Sequence, residues 1–233
     1  MIYNKEQSLI YDKLYFNKDY KFESKFIFDM IKNYDSTLTS VLDIGCGSGE
    51  HLYNLRREGL QVDGVDPSPS MIEVATSKLG SSDGLICGYV NDVSGKYDVV
   101  ISMFNVVNHI LDEESLSVFF SGVLSKMKRK SILIFDCFNY DAYIKDPPII
   151  SERVFSDGSR LDIVPEVDGD NLSMHCVYDN AGIKIRYCIY HKIWNKEYIL
   201  ELLHSLNDIS TYKNFSYEQE CSTDYKMMIV GKR

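Results

Sequence analysis

The chain is predicted to fold as an α/β protein: a doubly wound, mostly parallel sheet with a small antiparallel β layer inserted late in the chain. Three observations carry this. From about residue 38 to 140, short apolar runs alternate with helical patterns in the order β-α-β-α-β-β-α-β, as a sheet covered by helices on both faces requires. Glycines at 45, 47 and 49 follow the first apolar run, at the carboxyl edge where such sheets bind ligands. After residue 146 the pattern becomes longer alternating runs separated by turn signals, the mark of antiparallel strands.

The first 34 residues read as helical, with Leu9, Leu14 and Tyr15, then Phe22, Phe26, Ile27, Met30 and Ile31 at helical spacing. "SVLDI" is a strand running into the glycines, and "EHLYNLRREG" is a helix stopped near Gly59. "LQVDGVD" is the second strand. "SPSMIEVATSKLG" is a helix with Ser68 as N-cap, Pro69 in the first turn and Gly80 at its end. "GLIC" and "YDVVISM" are strands, the latter followed by the loop "FNVVNHI". "DEESLSVFFSGVLSKM" starts on acids, which the helix dipole favours, and "SILIFDCF" is the fifth strand. "DPPII" interrupts the chain. "SRLDIVPEV", "NLSMHCVYDN" and "IKIRYCIYHKIW" are antiparallel strands, the last two joined by a hairpin at "DN-AG". "NKEYILELLHSLN" is a helix capped by Asn195. "DISTYKNFS" and "DYKMMIVGK" form a last strand pair, whose apolar "MMIV" has to rejoin the first sheet.

Composition narrows the function. A chain of 233 residues with 45% hydrophobic and 25% charged residues builds one sizeable packed domain rather than a disordered one. A net charge of −9 offers no basic face to a nucleic-acid backbone, so no nucleic-acid partner is expected. No apolar run has the length of a membrane helix, and the N-terminus "MIYNKEQSLIYDKLYFNKDY" is too polar for a signal peptide, so a cytoplasmic protein without a membrane partner is expected. Cys46, Cys87, Cys137, Cys176, Cys188 and Cys221 contain no C-x-x-C pair; they are expected to be reduced and mostly buried, with no metal site. The 17 tyrosines and 11 phenylalanines supply large, semi-polar surfaces for lining a pocket.

The glycine loop reads G-x-G-x-G. A dinucleotide site calls for G-x-G-x-x-G, and Glu50 stands where its third glycine would be, at a helix start where it would repel a pyrophosphate. A phosphate loop is excluded by the absence of G-K-[ST]. What remains is a ligand with an adenosine and no phosphate. S-adenosylmethionine fits: its ribose takes an acidic partner at the end of the second strand, where Asp66 stands, and its cationic groups tolerate an acidic neighbourhood.

The stretch "VLDIGCGSGEHLYNL…VDGVDPSPSMIEVA" resembles the first two motifs of class I S-adenosylmethionine-dependent methyltransferases. That resemblance implies a Rossmann-like fold and S-adenosyl-L-methionine as cofactor. It places Gly45, Gly47 and Gly49 around the cofactor, Asp43 behind the glycine turn and the methionyl end, and Asp66 on the ribose. The family's acidic residue after the third strand falls here at Tyr89, with Asp92 three positions on, so Tyr89 and the backbone of Val90 are the candidates for the adenine.

Two further stretches, "YDKLYFNKDYKFE" at 11–23 and "YDVVISMFNVVNHI" at 97–110, resemble the enzymes that dimethylate the amino group of nucleotide-linked amino sugars. This likeness spans roughly residues 8–140. It implies an N-terminal segment that covers the cofactor, with Tyr20 against it, Tyr15 aimed at the acceptor amine, Met103 near the adenosyl group and His109 beside the acceptor. The expected organisation is a helical lid (1–34), a cofactor-binding core (35–146), an antiparallel insertion (147–194) that is also a candidate face for a homodimer, and the last helix and strands of the core sheet (195–233). The expected reaction is methyl transfer to a small-molecule acceptor, favouring the amine of a nucleotide-linked or phosphorylated amino sugar. An O-methyltransferase or an amino-acid or polyamine N-methyltransferase is the alternative; a nicotinamide-dependent oxidoreductase and a non-catalytic cofactor-binding subunit are more remote. His109 and Tyr15 are the candidate catalytic residues.

Overall fold

The structure is a computed structural model that describes residues 2–219 and 224–233. Its main sheet has seven strands in the order β10-β11-β5-β4-β1-β2-β3. These are β1 (Ser40–Ile44), β2 (Gln61–Asp66), β3 (Leu85–Cys87), β4 (Tyr97–Ser102), β5 (Met127–Phe138), β10 (Asn207–Lys213) and β11 (Lys226–Lys232). The pairs β1–β2, β1–β4, β2–β3 and β4–β5 are parallel, whereas β11 runs antiparallel to β5 and β10 antiparallel to β11. The strand order reverses between β1 and β4, and in such sheets the crevice beyond the carboxyl ends at that point is the binding edge. This is the doubly wound architecture the alternation predicts, and the terminal "MMIV" joins it through β11.

Both faces of the sheet are covered, so its central strands are apolar throughout rather than alternating. One face packs Leu42, Val100, Leu133 and Phe135 against Leu116 and Phe120 of α5 (Glu113–Ser125). The other packs Val41, Val99, Ile101 and Ile134 against Leu52 and Leu55 of α3 (Glu50–Arg57) and Ile27 and Ile31 of α2 (Tyr20–Tyr34). The helix α4 (Pro69–Leu79) begins at Ser68, whose hydroxyl caps the Met71 amide, and ends at Gly80 with φ +72°.

The helical N-terminal stretch forms two helices. The first, α1 (Lys5–Leu14), opens on a reciprocal capping box between Asn4 and Gln7. Then Asp19 accepts from the Phe22 amide and starts α2 anew, because the polar residues between compete with the helical backbone for its hydrogen bonds. The break lets α1 turn away from the main sheet and pack Ile10 and Leu14 against Leu161 and Tyr178 of the second sheet.

That second sheet is antiparallel, with β6 (Ser151–Val154), β7 (Arg160–Asp168), β8 (Asn171–Asn180) and β9 (Ile183–Lys192) in sequence order. Ala181 and Gly182 take positive φ between β8 and β9, as a two-residue hairpin with the twist of its strands requires. Neither β6 nor the short helix α6 (Tyr140–Lys145) is expected from the sequence. The edge strand reads S-E-R-V, which lacks apolar alternation, and the prolines of "DPPII" obscure what flanks them. The helix α7 (Lys196–Leu202), capped by Asn195, leads back to the main sheet. Cys46, Cys137 and Cys176 are buried and Cys188 is half-buried, but Cys87 is exposed; Cys221 lies outside the described residues. Among the described residues no helix is long and apolar enough to cross a membrane.

Candidate functional site

A cleft of about 1070 Å³ opens at the carboxyl edge of the parallel strands. Its floor is the turn after β1. Gly45 has φ +75°, and a Cβ there would lie 2.5 Å from the Val106 side chain, so only glycine lets the turn and the β4 loop approach each other. Gly47 has φ +52°, and a Cβ there would meet nothing within 4 Å: the backbone above it is open to a ligand. Asp66, at the end of β2, accepts the Gly47 amide at 3.0 Å on one oxygen and the Ser68 amide at 2.9 Å on the other. Burial raises its pKa while these two amides oppose the rise. An ionised carboxylate has about four acceptor positions, so two remain for a pair of vicinal hydroxyls.

Of the residues expected in the site, Tyr15, Tyr20, Gly45, Gly47, Asp66, Tyr89, Val90, Met103 and His109 all line this cleft. Asp43 and Gly49 do not reach its wall. Asp43 is buried beneath the turn, one carboxylate oxygen lacks a hydrogen-bond partner, and burial pushes its pKa up to about 6. Gly49 starts α3, where a Cβ would press on Ala75 of α4 at 3.0 Å; its smallness serves helix packing. At the β3 end, Tyr89 is 61% exposed and donates its amide to Asp92 at 2.8 Å, which presents its ring at the mouth of the cleft.

The other end of the cleft is built on the loop after β4. Phe104 and Asn105 are consecutive non-glycine residues with φ +72° and +61°, a strained pair. A bond from the Asn105 amide to buried Asp136 at 2.7 Å holds the conformation. It aims the Phe104 ring into the cleft, edge-on to Tyr15 at 4.7 Å, with Lys226 4.6 Å and Lys18 4.7 Å from its centroid. Asn108 then joins both sheets: its amide nitrogen donates to the Lys192 carbonyl at 2.7 Å and its oxygen accepts the Phe138 amide at 2.9 Å. His109 is thereby fixed between the sheets. Its Nδ1 has no hydrogen-bond partner, and burial lowers its pKa to about 4, the adjacent Tyr190 main chain countering this in part.

The N-terminal segment roofs the cleft with Tyr3, Tyr11, Tyr15 and Tyr20. Burial raises the pKa values of Tyr11, Tyr15 and Tyr20, that of Tyr15 to about 12, so these groups act as neutral phenols. The roof is tied down on both sides. Ser68 donates to the Tyr3 carbonyl at 2.7 Å, Lys78 bridges Asp12 at 3.1 Å and Glu50, and His51 pairs with Glu23 at 3.0 Å. Lys13 reaches Asp157, Ser159 and Tyr178 of the antiparallel sheet.

Tyr3, Phe104, His191 and Lys226 also line the cleft and are not singled out by sequence reasoning. Tyr3 carries a legible signal, being part of the same tyrosine-rich segment as Tyr11 and Tyr15. His191 and Lys226 carry none, since they sit in strands distant from every motif. Among the described residues no cluster of three or more His, Cys, Asp or Glu could hold a metal. The cleft thus offers a hydroxyl-binding carboxylate and an open glycine backbone at one end, and a neutral imidazole beneath an aromatic roof at the other.

Residues 41–129 match a protein family described as "Methyltransferase domain". The chain is 23% identical over 194 residues, 80% of this chain and 81% of the relative, to a dTDP-3-amino-3,4,6-trideoxy-alpha-D-glucopyranose N,N-dimethyltransferase of Streptomyces venezuelae. It is 29% identical over 170 residues to a glycine/sarcosine/dimethylglycine N-methyltransferase of Actinopolyspora halophila; that match covers 70% of this chain but only 30% of the relative's length, and a match to a Geobacillus relative covers 53% of that protein. The crystal structure of an S-adenosylmethionine-dependent methyltransferase from Clostridium acetobutylicum superposes with a TM-score of 0.81 over 97% of each chain at 22% identity. The fold is the class I methyltransferase fold.

Proposed function

We propose, from the premise that this chain has the class I methyltransferase fold and matches the methyltransferase-domain family over residues 41–129, that it transfers a methyl group from S-adenosylmethionine to a small-molecule amine. The observation that carries this reading is the pairing of two ends in one roofed cleft: Asp66 with the Gly45–Gly47 backbone, and His109 with Tyr15. Asp66 takes the ribose hydroxyls, the glycine backbone and Met103 lie along the cofactor, Tyr89 and Val90 flank the adenine, and Tyr20 closes over it. Asp43 supports the turn from beneath.

When bound, S-adenosylmethionine supplies a methyl group already activated by a sulfonium. The protein's work is therefore to orient an unprotonated nucleophile and keep water out. The tyrosine roof excludes water. His109, held neutral by burial, has its lone pair free and is the acceptor for the amine's proton. Tyr15 positions the acceptor.

For the acceptor, the amine of a nucleotide-linked or phosphorylated amino sugar is favoured, because the likeness to the amino-sugar dimethyltransferase runs along about four-fifths of both chains. Glycine-type and O-methylated acceptors are the second reading, supported by the relatives that act on glycine and sarcosine. The test is a radiolabelled methyl-transfer assay on UDP-glucosamine, glucosamine, glycine and a catechol. Label on the amino sugar is expected. Label only on glycine or the catechol would overturn the sugar assignment, and cofactor binding without transfer to any acceptor would favour a non-catalytic subunit.

A further inference from the structure

Three histidines line the cleft: His51 pairs with Glu23, His109 is the proton acceptor proposed for the amine, and His191 has no role in that reading. His191 stands on β9 with 6% of its surface exposed. Its ring lies against that of His109, centroids 4.5 Å apart at 40°, and Phe138 meets it edge-on at 5.3 Å. Ile189, two residues earlier on the same face of the strand, lines the same wall. Across the sheet His191 is paired with Leu172, which is fully buried. An apolar side chain would pack better among these neighbours.

Buried polar nitrogens in native proteins are nearly always hydrogen-bonded. Here the Nδ1 atoms of both His109 and His191 are buried and unpartnered, on two rings that are in contact. The arrangement is also actively maintained. Asn108, itself fully buried, clamps the β4 loop to the carbonyl of Lys192, the residue after His191. The clamp holds the two rings in contact at the acceptor end of the cleft.

A single imidazole in this position is a poor base, because burial opposes its charge. A second neutral imidazole in contact changes that. It supplies a lone pair for the N–H of the imidazolium, a charge-assisted hydrogen bond in a site sheltered from water. The pair can hold one proton and not two, since protonating either ring disfavours protonation of the other.

We propose that His191 acts with His109 as a two-imidazole proton acceptor for the amine. The inference rests on the reading of the chain as an amine methyltransferase. The amine's lone pair forms the new nitrogen–carbon bond while the carbon–sulfur bond of the sulfonium breaks, its electron pair staying on sulfur. The resulting ammonium gives its N–H proton to His109. A rotation of the rings lets His191 accept a hydrogen bond from that imidazolium, and the proton then leaves to water. The free amine is restored for a second methylation.

The test uses the full chain with His191→Phe, which keeps the ring and removes both nitrogens, and His191→Ala, which opens a space for imidazole. Calorimetry with S-adenosylhomocysteine checks that each variant is folded, and an affinity within about twofold of wild type is expected. With UDP-glucosamine as acceptor, kcat should fall by ~10-fold or more in both variants with little change in KM. Added imidazole should restore His191→Ala and leave His191→Phe unchanged. Histidine ring nitrogen NMR of the wild type with S-adenosylhomocysteine should show both His109 and His191 resonances moving when UDP-glucosamine is added. A wild-type kcat in His191→Phe, or no imidazole rescue of His191→Ala, overturns the pair while leaving the methyltransferase reading intact. Absence of wild-type transfer to UDP-glucosamine, glucosamine and glycine alike removes that reading and the pair with it.

Discussion

Asp66 binds two backbone amides, at 3.0 and 2.9 Å, and still has acceptor positions free in the cleft. Replacing it with alanine removes a charge-assisted partner, so S-adenosylmethionine affinity should fall by about one to two decades, on the order of 1.5–3 kcal/mol, measurable by calorimetry. An unchanged affinity in a folded variant would take Asp66 out of the site. At the other end, His109→Ala should lower turnover by ~10²-fold with cofactor affinity almost unmoved. His109→Asn should keep much of the rate if the ring only positions the amine, with the loss in acceptor KM. Tyr15→Phe keeps the ring that packs on Phe104 and should lose modestly. Gly45→Ala is a structural control: positive φ and the 2.5 Å approach to Val106 are both incompatible with a side chain. A lowered melting temperature together with lost cofactor binding is expected, and a wild-type melting curve would mean that the β4 loop yields easily.

At the scale of the element, α2 is anchored in the main core by Ile27 and Ile31, whereas α1 is held by ties to α4 and to the antiparallel sheet. Ser68 and Lys78 fasten it to the cofactor side, and Lys13 to Asp157 and Ser159 of the antiparallel layer. Such segments open more readily than core strands. Deleting residues 1–22 should leave a folded sheet, because β1, β4 and β5 make their contacts without it, but should abolish turnover by admitting water. Limited proteolysis should cut this segment in the free protein and spare it with S-adenosylhomocysteine and acceptor bound. Equal cutting in both states would count against a lid.

For the molecule as a whole, stability should depend on pH through its buried titratable groups. His109 and His191 both have folded pKa values below the unfolded value near 6.5. The unfolded chain therefore binds protons first as pH falls, so their contribution is complete above about 6.5 and is lost as pH falls below it, that of His109 towards pH 4. Asp43 works in the opposite sense. Its pKa is raised to about 6, so its contribution is present below the unfolded carboxylate value and is lost as pH rises through 6. Thermal melts should then show that His191→Phe loses less melting temperature than wild type between pH 6.5 and 4.5. Parallel curves would mean that His191 is not held neutral in the fold.

The alternation of strands and helices, the glycine turn and Asp66 were legible along the chain because each is a local pattern: a periodicity, a φ requirement, or an acid at a strand end. Nine cleft-lining residues could be named on motif and resemblance for the same reason. The break between α1 and α2 was left open by the sequence, and the strand β6 and the exposure of Cys87 were not legible, since each turns on weak local preferences settled by packing. The partnership of His109 with His191 was decided by tertiary structure alone. Their neighbourhood depends on an antiparallel sheet folding back over the β4 loop and on one buried asparagine bonding to two strands. Contacts between residues more than eighty positions apart leave no periodicity in a single sequence, so the glycine-turn end of the cleft could be read from it and the far wall at His191 could not.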